Sequence, residues 1–100
     1  MTTITANEIK ELLATKLHDE GTYFTKKHIS VKQIKNGYTI TIKDYEKIPF
    51  TITAEKDEYF GYCVYVRRED TKSIYMADSK KAYQWSEAIR YLGYYIGTRF

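Results

Sequence analysis

Residues 28–43 constrain the fold more than any other stretch. Apolar and polar side chains alternate on both sides of Asn36-Gly37. That dipeptide suits a type I′ turn, in which both central residues take positive φ. With Asn36 and Gly37 as the loop, Lys35 faces Tyr38, Gln33 faces Ile40, Val31 faces Ile42 and Ile29 faces Asp44. One face of the hairpin then carries Ile29, Val31, Tyr38, Ile40 and Ile42. The other carries His28, Ser30, Lys32, Ile34, Thr39, Thr41 and Lys43. A one-residue slip would turn the whole apolar set to water, so the pattern selects which face is buried.

The flanking chain extends this hairpin into a domain. Thr5 and Glu8 have capping-box spacing, with Ile4 and Ile9 placed as a hydrophobic staple. Ile9, Leu12, Leu13 and Leu17 then recur at helical spacing, and Gly21 is a natural stop, so a first helix is expected over residues 6–19. After a turn at residues 44–47, Pro49 opens a third strand in which Phe50, Ile52 and Ala54 alternate with threonines. A charged loop is expected at 55–58. Residues 59–68 read as a fourth strand, with Gly61 as a candidate bulge, and residues 72–77 as a fifth. Ser79 caps a last helix whose buried stripe is Ala82, Trp85, Ala88, Ile89, Leu92 and Ile96.

Every connection between strands is too short for a parallel crossover. The expectation is an α+β fold: helix, an antiparallel sheet of about five strands, helix, with both helices packed on one sheet face. One hundred residues make a single domain, residues 1–100.

Composition narrows the function classes. The net charge of +3 is spread evenly along the chain, with no polybasic block to demand a nucleic acid or a membrane surface. It also argues against an acidic DNA mimic. The single Cys63 excludes an intrachain disulfide and suits a reducing cytoplasm. The first residues lack the pattern of a signal peptide, and no apolar run is long enough to span a bilayer.

Catalytic and metal chemistry find little support. His18, Asp19, Glu20 and His28 lack the i, i+3 or i, i+4 spacing of helical ligands, so no metal and no cofactor is expected. Cys63 lies mid-strand, with nothing beside it in sequence to lower its pKa. Glu55, Asp57 and Glu58 read as a solvated turn. Gly93-Tyr94-Tyr95-Ile96-Gly97 matches a small-xxx-small helix-pairing pattern, but here it reads as a fraying last turn or a close approach to the sheet.

Two surfaces carry the functional expectation. On the outer sheet face, Tyr65 and Tyr75 stand with Lys32, Lys43 and Arg67, an arrangement that could stack bases and contact phosphates. On the last helix, Tyr83, Arg90, Tyr91 and Tyr94 fall outside the buried stripe. Tyrosine and arginine are frequent interface anchors. The chain is therefore expected to be a non-enzymatic binding module that engages a protein partner or forms a homodimer, with nucleic-acid binding through the sheet as the alternative. Lys, Ile and Tyr, all with A/T-rich codons, are abundant. In this compact character the chain resembles small accessory proteins of phages and mobile elements, including inhibitors of host defence.

Overall fold

The computed structural model describes residues 4–45, 48–57, 59, 61–70 and 85–99. Helix α1, Ala6–Asp19, begins with a complete capping box. Glu8 donates its amide to the Thr5 hydroxyl at 3.1 Å, and Thr5 donates its amide to Glu8 Oε1 at 3.1 Å. Gly21, at φ 83°, lets the chain turn away after the last turn.

Strands β1 (Ile29–Ile34), β2 (Gly37–Ile42), β3 (Phe50–Asp57) and β4 (Gly61–Arg68) form one antiparallel sheet in sequential order. The expected fifth strand, at 72–77, lies outside the described residues. Helix α2 spans Trp85–Arg99. Both helices pack on one face of the sheet. Ile9, Leu13 and Leu17 of α1 and Ala88, Ile89, Leu92 and Ile96 of α2 meet Ile40, Ile42, Phe50, Ile52, Val64 and Val66 in a single buried cluster. Burying each such aliphatic side chain contributes about 1.5–3 kcal/mol, so the cluster is the main source of stability.

The hairpin keeps its predicted faces but not its predicted register. β1 pairs with β2 as Ile29↔Ile42, Val31↔Ile40, Gln33↔Tyr38 and Ile34↔Gly37, so the two loop residues are Lys35 and Asn36. Only Asn36 has positive φ, 63°, which rules out a type I′ turn. Gly37 belongs to β2, and its reason for being glycine is tertiary. A β-carbon there would overlap the Ile52 carbonyl oxygen and lie 2.8 Å from Thr53 Cα on β3. The slip amounts to two residues, and an even slip leaves every side chain on its original face.

Three smaller expectations change as well. Strand β3 continues through the expected 55–58 loop to Asp57, pairing Glu55 with Cys63 and Lys56 with Tyr62. Gly61, at φ 77°, closes the turn opposite Asp57 and does not form a bulge inside the strand. Leu12 is 39% exposed, because the inward line of α1 is Ile9, Leu13 and Leu17, spaced at four residues, and Leu12 falls about 100° to one side.

Gly93 and Gly97 bring α2 against α1 and not against the sheet. A β-carbon on Gly93 would press on Cβ and Cγ of Lys16, and one on Gly97 would press on the same atoms of Glu20. Lys16 and Glu20 themselves form an i, i+4 ion pair at 3.1 Å along this contact.

Candidate partner-binding surface

The close helix contact shapes the surface above it. Glu8, Leu12, Thr15 and Asp19 recur at three- and four-residue spacing, so they share the flank of α1 that overlooks α2. Glu87, Arg90, Tyr91 and Tyr94 recur in the same way along α2. Between them lie two adjoining concavities of about 320 and 630 Å³, which share Lys16 and Arg90 in their walls. The smaller is completed by Glu87, Tyr91 and Tyr94, and the larger by residues of α1 that include Leu12.

The furrow mixes apolar area with charge. Tyr94 is 48% exposed and Leu12 39%, Arg90 is exposed and Tyr91 half-buried. The Lys16 ammonium is held by Glu20 and lies 6.0 Å from the centre of the Tyr94 ring. One carboxylate oxygen of Glu87, Oε2, is buried in the wall with no hydrogen-bond partner among the described residues.

Three of the four helix residues singled out from the sequence, Arg90, Tyr91 and Tyr94, are thus brought together. Tyr83 lies outside the described residues. Tyr95 faces the sheet: its ring packs edge-on to Phe50 at 6.0 Å, and its hydroxyl accepts from Arg68 at 3.0 Å. Asp70, which takes two hydrogen bonds from Arg68 at 2.8 and 2.7 Å, and the Tyr95 hydroxyl together hold that guanidinium above the ordinary arginine range. Sequence reasoning missed Leu12 and Lys16 as parts of the surface. The Lys16/Glu20 spacing was a visible signal, whereas Leu12 was absorbed into the leucine periodicity of the core.

The outer sheet face is organised differently. The pairings Lys32↔Thr39, Thr39↔Thr51 and Thr51↔Arg67 align one row across all four strands. Lys32 and Arg67 stand at its two ends, about 14 Å apart at ordinary strand spacing. Lys43, opposite His28, is four residues along from Lys32's row, about 13 Å. Arg67 is engaged: it pairs with both carboxylate oxygens of Glu55, donates to the Thr53 hydroxyl at 3.3 Å, and stacks 5.0 Å from the Tyr65 ring centre. The Thr53 hydroxyl also donates to Glu55 at 2.5 Å. The Arg67 guanidinium, aided by Thr53 and opposed by partial burial, holds the Glu55 carboxyl below its ordinary value. Tyr75 lies outside the described residues. Cys63 belongs to this side of β4 by strand alternation, yet it is fully enclosed, at 0% exposure.

Comparison of the chain with protein-family models, with curated proteins and with solved structures gives no match. Among the described residues, no three His, Cys, Asp or Glu side chains gather into a group that could hold a metal ion. No described helix is long and apolar enough to cross a membrane.

Proposed function

We propose that the protein is a non-enzymatic binding module that engages a protein partner through the furrow between α1 and α2. The observation that carries this reading is that Arg90, Tyr91 and Tyr94 line one concavity and Leu12 a second, with Lys16 and Arg90 in the walls of both. Rings with few rotors and a guanidinium with five donors are the groups that most often dominate binding energy at protein interfaces. An exposed aromatic and leucine patch rimmed by charge is the usual form of such a site. The complete enclosure of Cys63 supports the non-enzymatic reading, since a nucleophile must reach its substrate. The Lys-, Ile- and Tyr-rich composition supports a cytoplasmic accessory or inhibitory protein of a phage or mobile element.

The outer sheet face offers an anionic partner less. Its cations are dispersed, and Arg67 is already bound to Glu55. The test is quantitative capture of partners by wild type, by Tyr91→Ala/Tyr94→Ala and by Lys32→Glu/Lys43→Glu. A partner lost only with the tyrosine pair supports the furrow. A partner retained by the tyrosine variant and lost on charge reversal overturns it.

A further inference from the structure

The two helices run in the same direction. Gly93 meets Lys16, and one turn later Gly97 meets Glu20, itself one turn further along α1. Counted back from the first of these contacts, Glu87 stands level with the stretch between Glu8 and Glu11. Glu8, Glu11 and Glu87 therefore border one end of the furrow, and Asp19 the other. Against these four carboxylates the walls hold two cations, Lys16 and Arg90. Lys16 is already paired with Glu20 at 3.1 Å. Glu11 reaches Lys26 at 3.4 Å, but both side chains are more than half exposed, where water weakens such a pair. The furrow thus carries an excess of carboxylates on a chain whose net charge is +3.

Glu87 adds a second, independent sign. Its Oε2 is enclosed in the wall of the smaller concavity, and nothing among the described residues donates to it. A carboxylate oxygen taken from water without a donor is costly to the fold. Lys16, the nearest ammonium in that wall, is held by Glu20. Tyr91 lines the same concavity, and the face of a tyrosine ring attracts a cation. The oxygen, the ring and the surrounding excess of negative charge all suit the same kind of group.

We propose that the furrow takes a basic segment of its protein partner, and that one lysine or arginine side chain of that segment enters the smaller concavity and donates to Glu87 Oε2. This rests on the furrow being the partner-binding surface. The segment's other cations lie along Glu8, Glu11 and Asp19, which are exposed, and its apolar side chains cover Leu12. Arg90, in the walls of both concavities, donates to the segment's backbone carbonyls. Complementary charge of this kind sets which partner is accepted and how fast it docks.

Fluorescence anisotropy of two labelled peptides, titrated with the full chain, tests the proposal. Each has about twelve residues, enough as a helix to follow α1 from Glu8 to Asp19. One is built from leucine, alanine and arginine, and the other has glutamate in place of every arginine. The arginine peptide is expected to bind, more weakly as salt rises, and the glutamate peptide not to bind. Glu87→Gln, which keeps the shape and removes the charge, is expected to weaken the arginine peptide about tenfold or more without lowering the urea midpoint of the chain alone. Asp19→Lys, a favourable change at the end of a helix, is expected to weaken it as well and keeps the test decisive if Glu87→Gln does not fold. Equal binding of the two peptides, binding of neither, or an unchanged affinity in Glu87→Gln overturns the basic partner. The furrow itself survives that result if Tyr91→Ala/Tyr94→Ala still loses a captured partner. Arginine-peptide binding that persists in Tyr91→Ala/Tyr94→Ala places the site elsewhere and overturns both.

Discussion

Gly93 of α2 lies so close to Lys16 of α1 that a β-carbon on it would stand 2.9 Å from Lys16 Cβ and nearer still to Cγ. These atoms are the root of the lysine side chain and cannot swing aside as its tip can. Gly93→Ala gains about 1 kcal/mol of helix propensity but forces the helices apart, an overpacking that typically costs about 1–3 kcal/mol. The expected outcome is a net loss, read as a lower urea midpoint. Part of it should return when Lys16→Ala removes the Cγ atom. A gain in stability on Gly93→Ala alone would contradict the close contact.

Asn36 and Gly37 are adjacent and have separate tasks. Asn36 takes φ 63°, so Asn36→Gly should be near neutral and Asn36→Ala should cost about 1 kcal/mol. Gly37→Ala should cost about 3 kcal/mol or more, because the new methyl meets the Ile52 carbonyl in the neighbouring strand. Thermal unfolding of the three variants checks this order. A type I′ turn would reverse the emphasis, making positive φ at position 37 the main constraint.

Glu55 couples the sheet to pH. Its carboxyl titrates below its ordinary value of 4.5 because the folded state favours the charged form beside Arg67. The stabilisation is therefore fully present above pH 4.5 and is lost as pH falls through the lower folded value. Glu55→Gln should lower the denaturant midpoint by a constant amount near neutrality. The gap from wild type should narrow below pH 4.5 and close in stronger acid. Partial exposure of both side chains keeps the effect modest. Parallel midpoints across the whole pH range would remove Glu55 from the acid response.

The fold was legible in sequence wherever local chemistry decides it. Thr5 and Glu8 start α1 by bonding each other, and Gly21 ends it, so residues 6–19 could be read directly. The alternation in residues 28–43 gave the correct faces because its period of two is a property of the strand itself. Register was misread because Gly37 answers to Ile52, fifteen residues away, and a turn rule based on neighbours cannot register that contact. The same holds for Gly93 and Gly97, whose neighbours lie on α1. At the candidate surface, Arg90, Tyr91 and Tyr94 could be found by subtracting the apolar stripe of their helix. Leu12 could not, since a leucine at helical spacing looks buried until the partner helix is placed. The engagement of Arg67 is hidden for a similar reason: in sequence Glu55 reads as the start of a charged loop, and only its place in β3 sets it beside the guanidinium.

The chain's single thiol lies fully enclosed on the side of β4 that faces away from the helices. A reagent can reach it only while that side of the sheet stands open. The rate at which Cys63 takes up a thiol label therefore reports how often that side of the sheet is uncovered, readable in the unaltered protein. A partner that holds that side closed would slow the uptake without touching the residue.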